Sequence, residues 1–456
     1  MALDQIKTVF IVMLENRSFD HMLGYLSLAA HGGRDVDGQQ DDPAWKARVA
    51  NRFNGGEAFA PFPLTDPFSK MDADPPHSRT FVAKQLGTRV AGAYQLKGFV
   101  DNYAAAKHAT PPSVANPPPV MGYFGPDETP VTAFLADHFC VCDRWFSALP
   151  AGTQPNRLMA MSGATRIDTN KTPMPDQPLV YDWLTERGIR WRVYHQTLPF
   201  FALMPRWIDD ILAGDRFRPF ERLGVDIAAE GPDEFPQVVF IEPAYTSAPH
   251  LGESTDDHAP TAIKGGQKFL FEVYRDITAV RSRWEHSVTI VTYDEHGGFF
   301  DHVSPPAQET RPPADAAWDD LTPFTSLGVR VPALVVSPFV EPGKPHHGTF
   351  DHTSILKLLG TKFGGGSYSP EVDARGVGNV ADVLRDAADT DPPPPAPSIG
   401  VYLNHPTPPA GFTPGKQPED EMEEAFQDGL DRIRDHPNNP DHLPFNPLLV
   451  AFPPKA

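Results

Sequence analysis

Lys7-Thr-Val-Phe-Ile-Val-Met-Leu14, followed at once by Glu15-Asn16, is the stretch on which the fold turns. It is short, β-branched and almost wholly apolar, which is the signature of a strand buried on both faces of a parallel sheet. Comparable runs recur at Ile189 to Tyr194, Val238 to Ile241, Val288 to Tyr293 and Val331 to Val336. Helix-period stretches such as Thr261 to Arg283 lie between several of them. This alternation predicts an α/β chain whose sheet carries helices on both faces.

Outward from these runs the chain changes character. A segment rich in Gly, Pro, Asp and Ala spans about 29–130 and is expected to be an insertion over the sheet edge. From residue 387 a Pro-rich extension begins, with an acidic helical patch from Pro418 to Arg434, expected to pack on the core or trail from it. The division expected is therefore a catalytic domain over 1–386 and an extension over 387–456. Proline, at 52 of 456 residues, is about twice as frequent as usual, so much of the chain is ordered loop.

Charge narrows the function. Fifty-nine acids against 39 bases give a formal charge of −20, which excludes nucleic acid as a general partner and demands a focused positive site for any anionic substrate. No run of about 18 apolar residues exists, so no spanning helix is expected. The first residues lack a basic and then apolar leader, which gives an expectation of a cytoplasmic enzyme. Cys140 and Cys142 are too few for a disulfide framework.

In open α/β sheets, reactive groups collect at the carboxyl ends of strands. The first run ends in Glu15 and Asn16, and the fourth in Asp294 and Glu295. Three carboxylates and an amide suit a hard cation, because carboxylates brought to one point need a positive charge between them. A third element, Gly152-Thr-Gln-Pro-Asn-Arg157, is expected to start a helix. Thr153 is then either an N-cap or a nucleophile whose alkoxide is stabilised by a bound cation and the helix end.

Seven motifs in chain order carry a resemblance: Glu15-Asn-Arg-Ser-Phe-Asp-His21, Asp74-Pro-Pro-His77, Gly122-Tyr-Phe, Gly152-Thr-Gln-Pro-Asn-Arg157, Trp191-Arg-Val-Tyr-His195, Asp294-Glu-His-Gly-Gly-Phe-Phe-Asp-His302 and Val331-Pro-Ala-Leu-Val-Val-Ser-Pro338. Together they resemble the bacterial phosphoesterase family, which includes phospholipases C and acid phosphatases. The resemblance implies a three-layer α/β/α sandwich, alkaline-phosphatase-like, that uses one divalent metal ion. It implies Glu15, Asn16, Thr153, Asp294 and Glu295 as metal ligands, with Thr153 as nucleophile. His77, His195 and His258 are implied around the phosphoryl group as catalytic and substrate-binding residues, together with Asn16. The donors favour Ca²⁺, Mg²⁺ or Mn²⁺ and leave Zn²⁺ or Fe open.

Further positions take supporting roles. His302 and His352 stand in family-like contexts as structural neighbours of the site, Asn156 and Arg157 are expected to hold the nucleophile turn, and Asp20 and His21 to anchor the loop after Asn16. Tyr94, Phe99, Tyr103, Tyr123 and Phe124 are candidates for an aromatic cage around choline. The activity expected is phospholipase C-like hydrolysis of phosphatidylcholine-type lipids or phosphocholine esters through a phosphothreonine. An acid phosphatase acting on phosphomonoesters is the alternative, and a catalytically silent phospho-ligand-binding protein the alternative from another class. Charged histidines predict an acid optimum. Oligomeric state stays open.

Overall fold

The computed structural model describes residues 2–246, 253–404, 421–437, 445 and 448–449, with 421–424 as backbone only. Seven strands form the central sheet: β1 (Thr8–Leu14), β2 (Cys140–Val141), β3 (Trp191–His195), β4 (Phe217–Pro219), β5 (Val238–Glu242), β6 (Ser287–Tyr293) and β7 (Ala333–Val336). Their spatial order is β4-β3-β5-β1-β6-β7-β2. The first five in that order are mutually parallel, whereas β7 runs antiparallel to β6 and β2 antiparallel to β7. All five expected runs are in the sheet. The reversal of β7 was not legible, because an apolar run buried on both faces looks the same in either direction.

β1 lies at the centre, every one of its residues buried, with β5 and β6 as neighbours. An aspartate at Val12 would bury an unpaired charge in the middle of the protein. On one face, Ile11, Met13 and Phe240 meet α2 (Thr153–Ser162), α3 (Val180–Glu186) and α5 (Thr353–Phe363). A second helix group joins α1 (Pro130–His138) to α4 (Lys264–Thr278), where the Gln267 side chain accepts from the N–H groups of Val131 and Thr132 at the start of α1. The expected helix from Thr261 to Arg283 is α4 followed by a separate turn, Arg281–Trp284.

Residues of the 29–130 segment form their own apolar cluster, in which Trp45, Val82, Phe99 and Tyr103 pack with Phe299, Phe300 and Val329 of the core. Of the five aromatic candidates, Phe99, Tyr103 and Phe124 are buried packing residues, whereas Tyr94 and Tyr123 are partly exposed. Of the extension, α6 (Glu421–Asp435) buries Phe426, Leu430 and Ile433 against the core, beside Phe200–Leu203. The proline-rich end beyond residue 449 lies outside the described residues.

Candidate active site

Parallel pairing sets Leu14 level with Tyr293, so Glu15-Asn16 and Asp294-Glu295 emerge side by side. Asn16 takes a left-handed conformation, φ 60°, and its N–H donates to Asp294 Oδ1 at 3.1 Å. Gly297, also left-handed, lies so close that a Cβ there would meet the Asn16 carbonyl at 2.2 Å, which explains the glycine. A third segment joins on the other side, where the Glu15 N–H donates to the Asp256 carbonyl at 2.8 Å.

Thr153 is the first residue of α2, and Gly152, not Thr153, stands at the N-cap without a side-chain cap. The Thr153 hydroxyl is instead directed to Asn16 Oδ1 at 3.4 Å. Asn156 secures the turn by bonding Leu149, Ala151 and Gly152. Arg157 does something else. Its guanidinium lies 3.1 Å from Glu15 and 3.2 Å from Asp294, and it donates to the Tyr245 hydroxyl at 2.9 Å. Phe200 and Tyr245 stack against it, and Phe426 of α6 stacks on Tyr245.

The histidines divide. His77 donates from Nδ1 to the Pro75 carbonyl at 2.7 Å, which leaves Nε2 facing Asn16 Nδ2 at 3.4 Å and Glu295 Oε1 at 3.9 Å. His258 places Nδ1 3.2 Å from Glu15 Oε2 and Nε2 3.6 Å from Asp74 Oδ2. His77 and His258 lie edge to face, 5.6 Å between centroids. The structure does not bring His195 to this group. It ends β3, two strands across from β1 and about 10 Å away by strand spacing. There it bonds the Thr197 carbonyl and stacks on Phe445, and burial pushes it down to about 4. His352 bonds the Asp294 carbonyl at 2.6 Å and is likewise held neutral by burial, at about 4. His302 lies away from the ligands and pairs with Asp20 and Asp37. His21 bonds the Gly122 carbonyl and Arg17.

Electrostatically the site lacks positive charge. Burial first and the Glu15 charge second push Asp294 up to about 8, against the pull of Arg157. Burial would raise Glu15 too, but Arg157, His258 and His77 outweigh it and hold Glu15 low. Both Glu15 oxygens and Glu295 Oε1 are buried without a hydrogen bond of normal geometry. Orphaned carboxylate oxygens beside an amide and a hydroxyl fit an oxygen-loving divalent cation. Asp74, in the quoted Asp74-Pro-Pro-His77, and Asp256, two positions before His258, were missed as site residues. Tyr245 had no local signal.

The sequence profile of the phosphoesterase family matches residues 6–364. Non-specific phospholipase C3 of Arabidopsis thaliana is 32% identical over 379 residues, which cover 78% of this chain and 69% of that protein. Non-specific phospholipase C1 of the same plant is 30% identical, covering 77% and 65%. Phospholipase C B of Mycobacterium tuberculosis (strain ATCC 25618 / H37Rv) is 29% identical over 411 residues, covering 79% and 74%. The chain thus spans about two thirds of the length of the plant relatives.

Proposed function

Because the chain belongs to the phosphoesterase family, and is by that membership a phosphoric ester hydrolase, we propose that Thr153 is the nucleophile of a metal-dependent, phospholipase C-like reaction. The observation that carries this reading is the Thr153 hydroxyl at the start of α2, pointed at Asn16 and grouped with Glu15, Asp294 and Glu295. These five residues would hold one divalent ion, which when bound lowers the hydroxyl's pKa and draws charge from the phosphate oxygens.

Thr153 Oγ then attacks phosphorus, and its bond forms as the ester oxygen leaves. The amide dipoles at the α2 N-terminus favour the negative charge that gathers there. His77 would protonate the leaving oxygen from Nε2: burial pulls its pKa down, but Glu295 and Asp74 prevail and keep it raised. Water subsequently cleaves the phosphothreonine. The substrates favoured are phosphatidylcholine-type lipids or phosphocholine esters, on the strength of relatives that are phospholipases C, with phosphomonoesters second.

Comparing p-nitrophenyl phosphorylcholine with p-nitrophenyl phosphate, after chelation and metal add-back, tests this in wild type and Thr153→Ala. Chelation is expected to silence both reactions, add-back to restore them, and the variant to stay silent. Undiminished turnover in Thr153→Ala would remove the nucleophile.

A further inference from the structure

The strand-end group reaches solvent through Asp74 and His77, whose side chains are 26% and 13% exposed, whereas those of Glu15 and Glu295 are wholly buried. Directly after His77 the chain forms a short helix, Arg79–Leu86, that turns Val82, Gln85 and Leu86 inward and leaves Thr80, Ala83 and Lys84 in water. Gln85 ties this helix to the site by donating to the Pro76 carbonyl and bonding His296. Its outer face therefore borders the opening.

Each end of that face carries an apolar side chain held out in solvent. Leu321, 65% exposed, stands at the helix start, where Arg79 donates to the Asp320 and Thr322 carbonyls on either side of it, each at 2.7 Å, and lies over the Phe324 ring. Val90, 58% exposed, stands just past the helix end. It belongs to a hairpin of Arg89–Val90 with Ala93–Tyr94, turned by Ala91 and Gly92, both left-handed, and fastened by Tyr94 to Ser304 and Ser326. Scattered exposed apolar groups are ordinary, but three of the six large ones among the described residues, Val90, Val114 and Leu321, fall on or against residues 75–126.

The same stretch reverses the charge of the molecule. Residues 75–126 hold five bases, Arg79, Lys84, Arg89, Lys97 and Lys107, and one acid, Asp101, a balance of +4 in a chain of −20. Lys84 and Arg89, both exposed, lie between the helix start and Val90, over the Phe81 and Tyr94 rings. The exposed acids beside Leu321 are answered, Asp319 by Lys171 and Asp320 by Arg79. Cations framed by apolar tips match a phospholipid surface, whose phosphates attract the former and whose acyl boundary takes up the latter. The acidic remainder of the protein is repelled from that surface, which turns this face and the opening toward the lipid.

We infer that the outer face of Arg79–Leu86, with Lys84 and Arg89 and the flanking Leu321 and Val90, is the surface by which this protein docks on aggregated phospholipid. It rests on the phospholipase C-like reading of the strand-end site and adds the physical form of the substrate, a lipid in a surface instead of a dissolved ester.

The test is sedimentation of the full chain, chelated so that no lipid is consumed, with vesicles of phosphatidylcholine containing about 30 mol% phosphatidylglycerol. Wild type and Thr153→Ala are expected to bind alike, less tightly as salt is raised. Lys84→Gln with Arg89→Gln should weaken binding about 30-fold, and Val90→Ser with Leu321→Ser at least about tenfold. With metal restored, both double variants should keep wild-type turnover of soluble p-nitrophenyl phosphorylcholine and lose turnover of vesicle lipid. Failure of the wild type to sediment would overturn the proposal and leave the patch to a protein partner. Wild-type binding by both double variants, or equal losses on soluble and vesicle substrates, would also overturn it. The two readings fail separately: vesicle binding without any turnover upholds the surface and removes the hydrolase mechanism, whereas Thr153-dependent turnover of the soluble ester without vesicle binding removes only the surface.

Discussion

Two clusters built from the same ingredients lie a few residues apart and behave differently. At the strand ends, acids outnumber cations and several buried oxygens lack hydrogen bonds. In the second, Asp20, Asp301 and His302 also come within ligand distance of one another, but every charge there is answered. Arg330 donates to both oxygens of Asp301, to Asp20 Oδ1 and to the Asp37 and Asp143 carbonyls. His302 bridges Asp20 and Asp37. No side-chain oxygen of Asp20, Asp37 or Asp301 is orphaned. Residue type and proximity therefore do not separate a metal centre from a structural ion network; hydrogen-bond satisfaction does. The satisfied cluster clamps the loops after Asn16 and Glu295, and so holds the unsatisfied one in shape.

The sharpest way to break this comparison is to neutralise one acid in each role. Asp294→Asn should cut kcat/KM by at least about 10³-fold, about 4 kcal/mol of transition-state stabilisation, while the chelated protein stays folded. Activity within tenfold of wild type would deny the strand-end cluster its role. Arg330→Met should do the opposite, costing about 3 kcal/mol of unfolding free energy in urea, because it strands Asp20 and Asp301 in the interior. A loss below about 1 kcal/mol would mean that the second cluster is not a clamp.

Metal addition comes next in size. Mn²⁺ at about 100 times its Kd should stabilise the wild type by about 2.7 kcal/mol, read as a rise in Tm. An equal rise in Asp294→Asn would place the ion elsewhere. The smallest effect concerns pH. Burial alone would lower His302, but Asp20 and Asp37 raise it to about 9. A raised histidine contributes stability that is complete below its unfolded value near 6.5 and is lost as pH climbs through 9. Between pH 6 and 10, wild type should lose about 2 kcal/mol more than His302→Gln in urea titrations. Parallel losses in both proteins would show that His302 is not charged at neutral pH.

Much of the site was legible because it follows local rules. Glu15, Asn16, Asp294 and Glu295 terminate apolar runs, and Thr153 opens a helix marked by Gly and Pro. His195 satisfied the same rule and still lies apart, since nothing in the run from Ile189 to Tyr194 states its rank in the sheet. β2 and β4, of two and three residues, are too short to carry a pattern at all. Arg157 looked like part of the nucleophile turn from its neighbours in the chain. Its contacts with Glu15 and Asp294, more than 130 residues away in either direction, assign it to the acids.

By itself the amino-acid order determined the α/β alternation, the strand-end chemistry and the family, because apolar periodicity and motif composition are properties of neighbours along the chain. Only the tertiary structure decided the order of the strands, which histidines face the acids, and which charged cluster is left short of partners. Compensation of a buried charge depends on groups near it in space, and in this protein those groups come from segments scattered over nearly three hundred residues.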